Sequence, residues 1–301
     1  MATGEGLLKP GDELHETYRI DALLGIGGTG EVYRAMNTAA GRPVAIKILR
    51  PEFSKDEKFI ALMKRELLTE VGHDAAVKYF ELLRTREFGG LYFLVMELIE
   101  GPSLAHVMHA GPLPPETVLA IARRAAEGLN AAHAAGVLHR DIAPDNIILR
   151  DGDPARATLI DFGIAKDLRP EAHTVIGQGF AGKYEFAAPE QMDGQTVEQS
   201  DLYALGATLL AAARGRPPEL PADLLAIRRA KDEIVDVSDQ PEPLRGVLAG
   251  LLAPRMADRF PSAAAVLRAL DNPAPATPHS YGDTALPFAE RPQPAPPAPP
   301  E

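Results

Sequence analysis

Apolar and polar residues change their spacing near residue 100 of the chain. Before that point there are short apolar or alternating runs between turn residues, a pattern typical of β-strands. Only KDEKFIALMKRELLTEV, at 55–71, has apolar residues at helical spacing in this part. The predicted strands are YRIDALLGI at 18–26, EVYRAM at 31–36, PVAIKIL at 43–49 and LYFLVMELI at 91–99. We therefore predict a small β-rich unit with one key helix.

Helical spacing dominates from Ser103 onward. The clearest segment, PETVLAIARRAAEGLNAAHAAG, ends on Gly136, a residue type that often closes helices. SDLYALGATLLAAARG at 200–215 and PSAAAVLRAL at 261–270 repeat this spacing. The predicted fold class is α+β and bilobal. A small antiparallel N-lobe at about 18–98 is followed by a larger, mainly α-helical C-lobe at about 103–271.

The two ends of the chain differ from this folded region. Residues 1–17 form an N-terminal extension without the apolar core of a signal peptide. Ten of the 30 residues at 272–301 are proline, which predicts a disordered tail or linker. This tail either leads to a further domain or offers a polyproline helix to an SH3-like groove. No run of 18 apolar residues occurs, so no membrane span is predicted.

The composition of the chain limits its possible binding partners and its cellular compartment. The net charge of −11 argues against nucleic acid as the main partner, because such binding needs clustered lysine and arginine. The absence of cysteine excludes disulfides, thiolate catalysis and cysteine metal sites. A reducing cytoplasm is the simplest setting for such a chain.

The stretch GIGGTGEV carries Gly25, Gly27 and Gly30 between two predicted strands. Glycines let backbone N–H groups approach phosphate oxygens, although a plain hairpin turn has the same composition. A strand follows these glycines, whereas a dinucleotide-binding fold needs a helix there. Lys47 ends the next strand, and Glu66 on the predicted helix would hold its ammonium toward phosphates. The alternatives are a surface lysine and a solvated glutamate.

A second group of polar residues follows in the C-lobe. HRDIAPDN sets Asp141 five residues before Asn146, and TLIDFG places Asp161 at the end of an apolar strand. Asn146 and Asp161 offer oxygen ligands that suit Mg²⁺, which keeps triphosphate and water as its other ligands. Ala143 stands where a phosphate-handling loop would be expected to carry a cation.

Taken in order, the motifs GxGxxGxV, VAIK, a helix glutamate, HRDxxxxN, DFG, APE and DxxxxG resemble those of one family. The chain resembles the bacterial, eukaryotic-like (Hanks-type) serine/threonine protein kinases over about residues 18–271. The resemblance implies the bilobal protein-kinase fold. It also implies transfer of the γ-phosphoryl group of ATP, with Mg²⁺ or Mn²⁺, to protein substrates that include the kinase itself.

The resemblance assigns roles to individual residues. Asp141 would orient the substrate hydroxyl and accept its proton, and Lys47 would contact the α- and β-phosphates and pair with Glu66. Asn146 and Asp161 would hold the metal. The residues implied to bind ATP are Gly25, Gly27, Gly30, Val32, Ala45, Lys47, Met96, Glu97 and Ile99.

Structural landmarks of the family also have counterparts in this sequence. Glu190 of the APE motif would form a buried ion pair with Arg259, and Asp201 would hold the backbone of the catalytic loop. His139 is implied to be structural, because Asp141 already serves as the base.

The main departure from the family is Ala143, since serine/threonine members usually read HRDxKxxN. Aligning GKYEFAAPE with the usual GTxxYxAPE puts Lys183 on the threonine that lies beside the catalytic aspartate. We therefore include Lys183 among the catalytic residues, as a relocated cation. The alternative is an exposed Lys183 and a weak or inactive enzyme.

Two further departures concern the helix and the activation segment. Glu70 stands where the family places an apolar residue, so the end of the predicted helix is expected to be distorted. Thr174 is the only threonine at 161–190 and the best candidate for autophosphorylation. The competing functions are a pseudokinase acting as a nucleotide-binding scaffold and a small-molecule phosphotransferase.

Overall fold

A six-stranded antiparallel sheet forms the N-lobe, in the order β1-β2-β3-β4-β6-β5. The computed structural model describes residues 6–67, 71–85, 88–162 and 184–272. The strands are β1 Glu13–Leu14, β2 Tyr18–Ile26, β3 Gly30–Asn37, β4 Arg42–Leu49, β5 Tyr79–Arg84 and β6 Tyr92–Met96. The four strands predicted from the sequence correspond to β2, β3, β4 and β6.

Strand β4 is buried on both faces, which explains its nearly continuous apolar sequence. Val44, Ile46 and Ile48 join one apolar cluster of the N-lobe, and the alternation of strand side chains sends the intervening residues to the other face. Lys47 therefore lies on the same face as Ala45, which packs in the cluster between the lobes. The strand thus directs its one ammonium group toward the C-lobe.

The predicted N-lobe helix is present as α2, Glu57–Leu67, behind the short helix α1, Pro51–Ser54. The sequence prediction began at residue 55, but Asp56 caps α2 and sets its start. A carboxylate oxygen of Asp56 accepts hydrogen bonds from the N–H groups of Lys58 and Phe59. Glu70 lies outside the described residues.

The C-lobe is built around α6, in which every residue from Ser200 to Ala212 is buried. The helix packs against α4 and α8, so it is enclosed by other helices. The remaining elements surround this core. The C-lobe elements are α3 Leu104–Met108, α4 Pro115–Ala134, β7 Ile147–Leu149, β8 Ala157–Leu159, α5 Pro189–Met192, α6 Glu198–Arg214, α7 Leu224–Lys231, α8 Leu244–Leu252 and α9 Ala263–Asp271.

The predicted α+β, bilobal fold class is confirmed: the antiparallel sheet comes first and the helical lobe follows. Within the described ranges, none of the helices combines the length and the apolar character needed to cross a bilayer. The predicted proline-rich tail lies outside these ranges from residue 273 onward.

Candidate active site

The glycine-rich hairpin joins β2 to β3, and the Gly27 N–H donates to the Gly30 carbonyl over 2.8 Å. A Cβ added to Gly30 would stand 2.0 Å from the backbone oxygen of Ile48, so glycine is required there by the packing on β4. A Cβ on Gly25 would meet nothing within 4 Å. The structural environments of these two predicted glycines therefore differ: Gly30 packs against the sheet, whereas Gly25 borders open space.

An apolar wall lies beneath this hairpin. Ala45 on β4 pairs with Met96 on β6, and both belong to the cluster between the lobes. Val32 and Ile99 pack against the same cluster. The Glu97 N–H donates to the carbonyl of Lys78 over 2.8 Å. The structure thus brings Val32, Ala45, Met96 and Ile99, which are predicted to contact adenine, into one cluster where the lobes meet.

Lys47 and Asp161 are in direct contact across the cleft between the lobes. The Lys47 Nζ lies 2.5 Å from Asp161 Oδ1, and the lysine side chain is only 9% exposed. Asp161 has a φ of 57°, in the left-handed region that non-glycine residues rarely adopt. The backbone of Glu66 is in α2, but its side chain lies outside the described residues, so the Lys47–Glu66 pair stays a prediction.

In HRDIAPDN the side-chain amide of Asn146 meets the backbone of Asp141. Asn146 is buried, and its side-chain Nδ2 donates to the Asp141 carbonyl over 2.7 Å. The Asn146 carbonyl accepts from the Ile160 N–H over 2.9 Å, which places the residue before Asp161 beside the loop. The two predicted metal ligands are therefore carried on adjacent, hydrogen-bonded segments.

Asp201 of α6 holds the start of this loop. Its two carboxylate oxygens accept the N–H groups of His139 and Arg140, at 2.8 and 2.7 Å. The His133 ring nitrogen Nε2 lies 2.9 Å from the same carboxylate. Arg140 has a φ of 66°, so these bonds hold the backbone in a conformation that it would otherwise avoid. The predicted role of Asp201 in fixing the loop agrees with these contacts.

The hydrogen bonds of His139 decide its tautomer. Its Nε2 faces the Ile160 carbonyl at 3.1 Å, so Nε2 carries the proton, and Nδ1 accepts the Asp141 N–H at 3.3 Å. Burial lowers the pKa of His139, against the opposing charges of nearby aspartates, and this favours the neutral ring. Both ring nitrogens are occupied by backbone groups, which agrees with a structural His139.

Ala143 is 4% exposed and belongs to the apolar core of the C-lobe, together with Phe186. The position that carries a lysine in the family is thus an apolar packing contact in this chain. Lys183 and Thr174 lie outside the described residues. The hypothesis of a relocated lysine therefore stays a prediction.

Glu190 and Arg259 form the buried ion pair implied by the resemblance. The guanidinium donates to both carboxylate oxygens, at 2.8 and 3.1 Å, and the Ser200 hydroxyl adds a bond of 2.8 Å. Burial by itself raises the pKa of Glu190, but these hydrogen bonds bring the pKa below its ordinary value. The segment that begins at Tyr184 is thus fastened to the C-lobe at its far end.

A further buried cation, Lys231, was missed by sequence reasoning. Its Nζ donates to the Glu185 carbonyl over 2.8 Å and lies 5.2 Å from the centre of the Tyr203 ring. The Arg259 guanidinium lies 5.0 Å from the centre of that same ring. A clue was present in the sequence, because Lys231 follows the buried Ile227 by four residues and so shares its helix face.

Comparisons with known proteins agree with this geometry. The family model described as the protein kinase domain matches residues 18–268. Serine/threonine-protein kinase PknD of Mycobacterium tuberculosis is 37% identical over 257 residues, which cover 82% of this chain and 38% of PknD. Serine/threonine-protein kinase pkn2 of Myxococcus xanthus is 38% identical over 207 residues, which cover 67% of this chain and 25% of pkn2. The chain thus spans well under half the length of these curated relatives.

Solved structures show the same fold. The crystal structure of the Mycobacterium tuberculosis PknI kinase domain superposes with a TM-score of 0.63 at 28% identity, covering 88% of this chain and 98% of that structure. Sequence motifs, site geometry and relatives agree: the chain belongs to the protein kinase family, as a domain of the bacterial, Hanks-type serine/threonine class.

Proposed function

We propose that this chain is an active protein serine/threonine kinase of bacterial signalling, which transfers the γ-phosphoryl group of ATP to protein hydroxyls, its own included. The contact between Lys47 and Asp161 carries the proposal. It joins a phosphate-binding cation on the N-lobe to a metal-binding carboxylate on the C-lobe, 114 residues apart. Two lobes that meet through such a pair can hold a triphosphate between them.

ATP is the nucleotide that these surfaces fit. The apolar wall of Val32, Ala45 and Met96 suits the faces of a purine ring, and Lys47 suits the phosphates beneath the hairpin. Gly25 leaves open space where backbone groups approach phosphate oxygens.

A divalent cation fits the donor set of the C-lobe. Asn146 uses its Nδ2 on the Asp141 carbonyl, so its side-chain oxygen is the atom left for a metal, together with the carboxylate of Asp161. The described residues hold no cluster of three or more histidine, cysteine and carboxylate side chains that would bind a metal alone. Two hard oxygen ligands suit Mg²⁺, which, when bound, neutralises negative charge on the triphosphate.

Asp141 is the residue that orients the phosphoacceptor hydroxyl and accepts its proton. Its neighbour His139 has both ring nitrogens engaged by backbone groups, so the carboxylate takes this role. Asp201 and Asn146 fix the loop before the substrate arrives, and such preorganisation supplies most of the catalysis in phosphoryl transfer.

Lys183 is proposed to supply the cation that Ala143 lacks. An ammonium on a flexible stem can reach a phosphate from a different anchor, and the small side chain of Ala143 leaves the catalytic loop without a competing cation at that position. Glu66 is proposed to support Lys47, which would leave Asp161 to hold the metal.

Incubation with γ-labelled ATP and Mg²⁺, alone and with a generic basic protein, tests the proposal. We expect wild type to label itself or the substrate. The labelling rate of Asp141→Asn and of Lys183→Ala should be lower by tenfold or more. Lys55→Ala, which removes an exposed N-lobe lysine, should keep full activity. A wild type that binds ATP but transfers no phosphate would overturn the kinase proposal in favour of a nucleotide-binding scaffold.

A further inference from the structure

Lys231 has an unusual environment for a lysine. It is 5% exposed, at the end of α7, and its neighbours on the same helix face are Leu224 and Ile227. Removing an ammonium from water is unfavourable unless polar groups replace the water. Burial lowers the pKa of Lys231 to about 8, although the Glu185 carboxylate opposes this change. An apolar side chain would fit this helix face without that penalty.

The Lys231 ammonium donates a hydrogen bond to the Glu185 carbonyl over 2.8 Å. An apolar side chain at this position could not make that bond. The Tyr203 ring supplies a second favourable contact at 5.2 Å, since aromatic faces attract cations. Lys231 therefore connects α7 and α6 to the backbone of residues 184–187, the start of the segment that ends in the Glu190–Arg259 pair.

Residues 184–187 share an apolar core with the loop that carries Asp141. Phe186 and Ala143 both belong to the buried core of the C-lobe, and Ala143 is two residues after Asp141. Farther along, the Gln191 side chain donates to the Arg140 carbonyl over 3.4 Å. The segment that runs from residue 184 to Gln191 and the loop that carries Asp141 are therefore joined in the same lobe, by the shared core and by this hydrogen bond.

We propose that Lys231 is a positioning residue for the protein substrate: it fixes residues 184–187 so that the chain bearing the phosphoacceptor binds beside Asp141. This inference rests on the proposed kinase function. The residue contacts neither ATP nor the reacting hydroxyl, so it acts through the segment that it holds.

The charged groups around Lys231 make its effect measurable by pH. Glu185 is half-buried, and burial raises its pKa, while burial raises the pKa of Tyr203 to about 12. On α7 itself, Arg228 is paired with Asp193 and Asp232. Arginine and a phenol with this pKa do not titrate between pH 7 and 9. Among the cations and the phenol named here, Lys231 is the one expected to lose a proton near pH 8.

The test compares Lys231→Met and Lys231→Arg with Arg229→Met, an exposed cation on the same helix. We expect Lys231→Met to raise the KM for a protein substrate about tenfold, as for loss of a hydrogen bond to a charged donor. The KM for ATP should stay unchanged. In wild type the KM for the protein substrate should rise as the pH passes 8, and Lys231→Arg, which stays protonated, should remove this rise.

Hydrogen exchange provides a readout that does not need activity. Backbone amides at 185–188 should exchange at least tenfold faster in Lys231→Met than in Arg229→Met. Equal exchange, or an unchanged KM for the protein substrate in an otherwise active enzyme, would overturn the positioning role. If wild type and Arg229→Met both fail to transfer phosphate, the proposed function is wrong, and the exchange comparison still decides the role of Lys231. If Lys231→Met does not fold, the pH profiles of wild type and Lys231→Arg decide it.

Discussion

Arg259 donates to both carboxylate oxygens of Glu190 in the interior of the C-lobe, with its own side chain fully buried. Its remaining donors reach the carbonyls of Ala253, Gln199 and Pro254. Each N–H group of the buried guanidinium therefore has a hydrogen-bond acceptor. Removing either partner leaves a buried charge without compensation, which is far less favourable than losing an exposed ion pair.

Arg259→Ala is therefore expected to lower the free energy of unfolding by about 3–5 kcal/mol. Arg255→Ala, which breaks an exposed pair with Asp258, should change it by less than about 1 kcal/mol. Urea unfolding of both variants at neutral pH measures the difference. Similar small losses in the two variants would show that the buried pair does not stabilise the lobe as described.

Gly30→Ala is expected to destabilise the N-lobe by about 2 kcal/mol or more, because the new methyl group would meet the Ile48 oxygen. Gly28→Ala is the matched control, since a Cβ there meets nothing within 4 Å. Its effect on stability should stay within about 0.5 kcal/mol. Thermal unfolding of the two variants is the measurement, and equal melting temperatures would contradict the close approach of β3 to β4.

Lys47→Met is expected to reduce phosphoryl transfer at least a hundredfold, because the phosphates lose the cation that the N-lobe supplies. Folding should be affected little, since methionine fills a similar volume on that face of β4. Lys58→Met, on the exposed side of α2, controls for the loss of one positive charge. The measurement is the rate of substrate labelling beside the melting temperature, and an active Lys47→Met would remove this lysine from the mechanism.

The stability of the protein should depend on pH through Lys231. Its pKa falls from 10.5 in the unfolded chain to about 8 in the folded protein. Below pH 8 both states carry the charge, and the folded state bears the desolvation cost. Between pH 8 and 10.5 the folded state releases its proton first, so this group's contribution to stability rises with pH, by about 3 kcal/mol in all.

Lys231→Met lacks this titration, so the stability of wild type relative to the variant should increase from pH 8 to 10.5. Near pH 7 the variant should be as stable as wild type or more so. Urea unfolding of both proteins at several pH values gives the difference directly. A difference that is constant with pH would place the folded-state pKa near its ordinary value.

Most of the N-lobe followed from apolar periodicity, because strands buried on one or two faces leave a clear pattern. YRIDALLGI matches β2 residue for residue, and PVAIKIL differs from β4 by one residue. Strand β5, YFELLR, was not predicted, since its exposed and half-buried residues do not alternate regularly. The helices α7 and α8 were also missed, being short and outside the strongest helical runs.

The site was predicted from motif order, but its contacts depend on how distant segments pack. The sequence offered no spacing that joins Lys47 to Asp161, because their meeting depends on the placement of one lobe against the other. Lys231 follows Arg228 and Arg229, so it resembled part of a solvated basic run. Its burial arises from α7 lying beside α6 and the segment at 184–187, which local pattern does not reveal.

Three residues in the first turns of α6 connect separate parts of the C-lobe. Ser200 contacts Glu190, and Asp201 contacts the backbone of His139 and Arg140. The ring of Tyr203 contacts the cations of Lys231 and Arg259. A displacement of this helix would move the backbone of His139 and Arg140 and the carboxylate of Glu190 together, because all three are hydrogen-bonded to it. One short stretch of a buried helix thus sets the position of the 139–141 backbone relative to the segment that ends at Glu190.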